Sequence, residues 1–194
     1  MKNFKWVLIV IVGMSLCFAC SDPVEEEPNN VLKKGELGAD TSSETKMVTK
    51  PFKISFIGNY DFIGVDIDKC GEQWINVVNN GKGTGTHLGK FTHHFDFCVD
   101  ADSYYPGDYM EAYFVAANGD SLFVYVSGQV IGGRADDHPD FVVSYFRDPF
   151  VILDGTGRFK DAKGGGFTDD YNSSQDVYSH HHWVGTITMM KGEK

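Results

Sequence analysis

From Pro51 onward, runs of aromatic and β-branched residues are cut again and again by short breaks of glycine, asparagine and aspartate, and that rhythm confines the chain to an all-β fold. Residues 52–63, 74–78, 87–99, 109–117, 121–132, 141–153, 157–168 and 177–190 read as strands. The breaks carry turn chemistry: Asn118-Gly119-Asp120 and Asp154-Gly155-Thr156-Gly157 tolerate the positive φ that tight reversals need. No stretch keeps a helical period between caps. Strands of around ten residues in unbroken succession predict an antiparallel up-and-down barrel of eight strands, whose closure leaves no exposed edge. A two-sheet sandwich is the alternative.

Alternation identifies an inner face. Phe91, His93, Phe95, Phe97 and Val99 share one side of their strand, opposite Thr92, His94, Asp96 and Cys98. In the last strand His181, Trp183, Gly185 and Ile187 share a side, opposite His182, Val184, Thr186 and Thr188. The first set in each strand is assigned to the barrel interior.

The N-terminal residues supply an address. Lys2 and Lys5 precede an apolar run from Trp6 to Ala19, too short to span a bilayer comfortably, and Cys20 follows. This resembles a bacterial lipoprotein signal, in which the cysteine is acylated and becomes the new N-terminus. It departs from the usual pattern in carrying Cys17, rather than leucine, three residues before the modified cysteine. Glu25, Glu26 and Glu27 resemble the surface-export signal of lipoproteins of the Bacteroides group. The expected organisation is a signal peptide over 1–19, a lipidated cysteine and disordered acidic tether over 20–50, and a barrel domain over 51–194. Prolines, glycines and charges dominate the tether, which buries too little apolar surface to offset its ordering entropy. The resemblance implies an outer-membrane lipoprotein of the cell envelope, surface-exposed if the export signal is read, with the membrane as partner through several acyl chains.

Loss of the signal removes two lysines and leaves 175 residues with 15 basic and 27 acidic side chains, a formal charge of −12. So acidic a chain repels phosphate backbones, which excludes nucleic acid as a partner. Cys70 and Cys98 are either a disulfide, closing a loop of about 27 residues, or two packed thiols.

A second resemblance lies in the segment Phe150-Val151-Ile152-Leu153-Asp154-Gly155-Thr156-Gly157-Arg158-Phe159-Lys160-Asp161-Ala162-Lys163-Gly164, which is similar to a pattern of the dirigent proteins and allene oxide cyclases of plants. Gly155 and Gly157 permit a tight reversal around Thr156, Phe159 plugs one end of the core, and Ala162 with Gly164 lets the next strand bend closely. The resemblance implies an eight-stranded calycin-like barrel. The matching turn is structural, so it carries no catalytic residue across.

Candidate chemistry is sparse. His93 and His181 are expected inside, among Phe91, Phe95 and Trp183, where an imidazole orients a ligand, moves a proton or simply completes the core. Of His180, His181 and His182, only the first and third can act on one face, and no zinc-binding spacing accompanies them, so no metal site and no cofactor are expected. Asp136, Asp137, Asp140, Asp169 and Asp170 read as solvated turn carboxylates. Three functions remain open: a barrel that binds a small apolar or aromatic ligand, an enzyme of cyclase or isomerase type working in the lumen, and a structural or adhesion module filled by its own side chains.

Overall fold

In a computed structural model, residues 46–71 and 75–191 are described. The signal and Cys20 lie outside them, as do most of the tether and Trp74. In chain order the elements are β1 (Met47–Val65), α1 (Ile67–Cys70), β2 (Ile75–Gly85), β3 (Gly89–Val99), β4 (Tyr104–Tyr105), β5 (Glu111–Ala116) and β6 (Ser121–Val126). They continue with β7 (Gly128–Gln129), β8 (Ile131–Gly132), β9 (Val142–Phe146), β10 (Pro149–Gly155), β11 (Lys163–Thr168), β12 (Asp170–Ser173) and β13 (Ser179–Met190). Strands β1, β2, β3, β5, β6, β10, β11 and β13 are hydrogen-bonded in that order, and β13 returns to β1 along Met47↔Met190 to Gly58↔Ser179. The fold is therefore a closed eight-stranded antiparallel barrel, and the sandwich alternative falls. At one end β13 changes partner, from β11 along Trp183–Thr188 to β12 at His180 and Ser179. There β12, β9 and β8 peel away from the ring as a flap.

Several strand boundaries differ from expectation, and residues 121–132 form three strands rather than one: β6 in the ring, β7 beside β4 and β8 in the flap. The first strand begins at Met47, inside the segment assigned to the tether, because Thr49 and its neighbours pair with the end of β13. β2 runs on to Gly85 although its second half lacks the apolar alternation of a buried strand. Gly81, Gly83 and Gly85 face inward there, and a Cβ on Gly83 would sit 2.3 Å from that of Phe56. Their missing side chains are what admit Phe56 and His93 to the lumen.

Residues 141–153 form two strands, split where Pro149 offers no N–H to a ladder, so that β9 joins the flap and β10 the ring. Residues 157–162 are not strand. The Asp154 carboxylate accepts from the N–H groups of Gly155 and Asp161 and captures a compact turn, with Gly157 at φ +55°. Within this turn Thr156 is tied to Ser121 by two 2.8 Å bonds, while Phe159 is fully buried and closes the lower end of the barrel.

The core is one continuous cluster that includes that plug. Phe56 touches Phe91, Phe114 and Trp183 edge-on at 5.4–5.9 Å, and Phe150 stacks on Trp183 at 4.8 Å. Near the upper end Cys70 is bonded to Cys98, which anchors α1 to β3 over a sequence separation of 28. Reducing this bond, or replacing both cysteines by serine, is expected to cost about 3 kcal/mol. For a domain of this size that is roughly 6–12 °C in Tm, readable by calorimetry with and without reductant.

Candidate functional site

Above the packed floor the lumen opens into a cavity of about 60 Å³, lined by residues from β1, β2, β3, β4, β6, β9, β12 and β13. Its walls are mainly aromatic: Phe95 stacks on Trp183 at 5.8 Å, Phe97 meets Tyr105 edge-on at 5.7 Å, and Phe146 enters from the flap. Met110, Val126 and Val130 complete the apolar part.

A chain of polar groups is set into this wall. Asp170, only 3% exposed, receives the Trp183 indole N–H at 3.0 Å and the backbone N–H of His182 at 3.0 Å, and it pairs with His181 Nδ1 at 2.8 Å. His181 Nε2 lies 2.8 Å from Ser179 Oγ, which also receives the Asn79 amide at 3.0 Å. The Asn79 carbonyl oxygen in turn bonds His93 Nε2 at 2.9 Å. Across the cavity the Tyr105 hydroxyl donates to buried Asp148, and the Tyr60 hydroxyl donates to Asn172 at 3.3 Å. Burial pushes the Asp148 carboxyl above its ordinary range, and the charge of Asp170 adds to the rise.

The sequence-assigned interior residues separate into two groups. Phe95, His181 and Trp183 line the cavity. Phe91 belongs to the floor, and His93 does not line the cavity: it packs against Phe56 and Phe95 and bonds Asn79. Asp170 is the main correction: the assignment to a solvated turn fails because residues 170–173 form β12 and direct its carboxylate into the lumen. A period of two through Thr168, Asp170 and Asn172 was available as a signal, but the Asp-Asp pair reads as a turn. Tyr60, Asn79, Tyr105, Asp148 and Phe146 are likewise functional candidates that strand patterning did not isolate.

Asp137 and Asp169 stay at the surface, each hydrogen-bonded to the Arg147 guanidinium, and Asp140 pairs with Arg134. His180 stacks on Tyr171 and bonds Asp176, while His182 bonds Ser55. Among the described residues no three His, Cys, Asp or Glu side chains converge as metal ligands.

Ser179, His181 and Asp170 are linked as a nucleophile, a base and an orienting acid would be. The hydroxyl does not face the cavity, however: Ser179 is fully buried and is not part of the lining. What the site presents to a guest is the His181–Asp170 pair with two tyrosines, suited to holding a polar group or moving a proton.

No protein-family model and no curated protein matches the sequence. Among solved structures, the chain trace is similar to that of a pterocarpan synthase dirigent protein, with TM-score 0.45 and 12% identity over 82% of this chain and 98% of that one. It is also similar to a conserved protein of unknown function from Rhodopseudomonas palustris, with TM-score 0.40 and 12% identity over 74% of this chain and 98% of that one. At this distance the likeness carries no argument about this chain's residues or role.

Proposed function

We propose that this chain is a lipid-anchored protein of the cell envelope whose barrel binds a small, largely apolar or aromatic ligand at its upper end. The observation that carries the reading is the cavity itself: aromatic walls with a few convergent polar groups, above a floor with no space left, are the composition of a small-molecule site. Native mass spectrometry of the detergent-extracted protein, set against its denatured mass, tests it. An added mass is expected in the native spectrum alone, and Met110→Trp, which fills the cavity from its rim, should remove it. A bare native mass in both proteins argues for the filled, structural barrel.

The anchor has its own test. Cys20→Ala should move the protein from the membrane fraction to the soluble one, because no other part of the proposed mature chain supplies an acyl attachment. An unchanged membrane fraction would count against lipidation.

A second reading, chemistry of cyclase or isomerase type, is favoured by the His181–Asp170 pair facing the cavity. Under it, the protein converts the molecule found in the native spectrum, and His181→Gln stops conversion without releasing the ligand. Recovery of the same compound unchanged after prolonged incubation sinks that reading.

A further inference from the structure

We infer that the ligand of this cavity is a small protonated amine, an inference that rests on the ligand-binding reading above. It follows from the hydrogen-bonding capacity the lining leaves unused. The Tyr60 hydroxyl is committed to Asn172, the Tyr105 hydroxyl to Asp148, and the Trp183 indole N–H to Asp170. Both ring nitrogens of His181 are engaged, by Asp170 and Ser179, whichever of them carries the proton. Asn79 uses one amide hydrogen on Ser179.

The remainder is lopsided. One Asn79 amide hydrogen stands against the lone pairs of two phenolic oxygens and the last free acceptor position of Asp170, three of whose roughly four are filled. Among the described residues no lysine or arginine lines the space.

A carboxylate or phosphate entering here would meet Asp170 and find almost nothing to donate to it. A neutral hydroxyl would satisfy one acceptor. An alkylammonium group satisfies several at once, in a lining that also carries the rings of Phe95 and Phe97, whose π-electron density favours a cation over an anion. The titration behaviour agrees. Burial raises Tyr60, Tyr105 and Asp148, and Asp170 pushes each further in the direction of a negative potential. The cavity volume of about 60 Å³ is well under the roughly 150 Å³ that holds a benzene ring, which restricts the cation to one of a few heavy atoms.

Three probes of nearly equal size separate the possibilities: ethylammonium, ethanol and acetate, titrated at pH 7 into the full chain in detergent. The readout is the ¹⁵N indole resonance of Trp183, assigned by its loss in Trp183→Phe. Ethylammonium is expected to shift it saturably and to bind about tenfold or more tightly than ethanol, with acetate inert. Asp170→Asn should erase that preference, and the comparison on the unaltered protein stands even if this variant does not fold. Equal or tighter binding of the alcohol or of acetate overturns the amine assignment and leaves the ligand site intact. Absence of any shift, with a ligand still present in the native mass, overturns the assignment alone. Absence of a shift together with a bare native mass overturns the ligand-binding reading as well.

Discussion

Asp170→Ala is expected to lower the stability of the barrel by about 3–5 kcal/mol, the range for removing one partner of a buried ionic or hydrogen-bonded network. The size follows from how many groups depend on one carboxylate. Its removal strands the Trp183 indole N–H, the His182 backbone N–H and the Nδ1 side of His181, and stacking on Phe150 and Phe56 keeps the indole and the imidazole from turning toward new partners. A chain of this length converts such a loss into roughly 6–20 °C of Tm. Trp183→Phe is the informative companion. It removes one donor, leaves His181 and His182 served, and keeps the ring that packs on Phe95 and Phe150, so it should cost only about 1–2 kcal/mol. If calorimetry finds the two variants equal, the cost lies in the aromatic packing and not in the carboxylate.

That carboxylate also marks where the sequence stopped being readable. The inward faces of β3 and β13 were legible because Phe91, Phe95, Trp183 and Ile187 repeat with the period of a strand. The lower plug was legible because Gly155, Thr156 and Gly157 announce a reversal before Phe159. Both signals are local. β2 was half-hidden for the opposite reason: its inward positions are glycines, whose purpose is visible only beside Phe56 and His93.

The site was harder still. Tyr60, Asn79, Tyr105, Asp148, Asp170 and His181 come from elements scattered along the chain, and they meet because closure of the ring and the departure of the flap bring their strands to one end. Asp169 and Asp170 show the limit within a single dipeptide. One carboxylate meets Arg147 in solvent and the other meets Trp183 in the core, and only the pairing of β12 with β13 decides which. Residue type gave the chemistry of each group, and long-range strand pairing gave its position.

Acid should weaken this protein before its carboxylates titrate, and His93 is the reason. The residue is 3% exposed, bonds Asn79 through Nε2, and has no partner at Nδ1 among the described residues. Burial, reinforced by the neighbouring His181 and His94 rings, holds its pKa down to about 3 from an ordinary 6.5. The native state therefore keeps a neutral ring down to about pH 3, whereas the unfolded chain takes up a proton below 6.5. Between those values the unfolded state binds more protons, so stability rises with pH across the window and is level above it.

The linkage amounts to about 2 kcal/mol lost on going from pH 7.5 to pH 5, growing toward about 4–5 kcal/mol near pH 3. Urea unfolding of the protein and of His93→Gln at the two upper pH values isolates the effect. Glutamine can still donate to Asn79 but does not titrate, so contributions from other groups, Asp148 among them, are common to both proteins and cancel in the difference. The variant should start less stable at pH 7.5 and lose about 2 kcal/mol less on acidification. Parallel losses would mean that His93 is already hydrated in the folded state, through the Nδ1 atom that faces no protein partner. That result would open the wall of the lumen to water at the point where the polar chain from Asp170 ends.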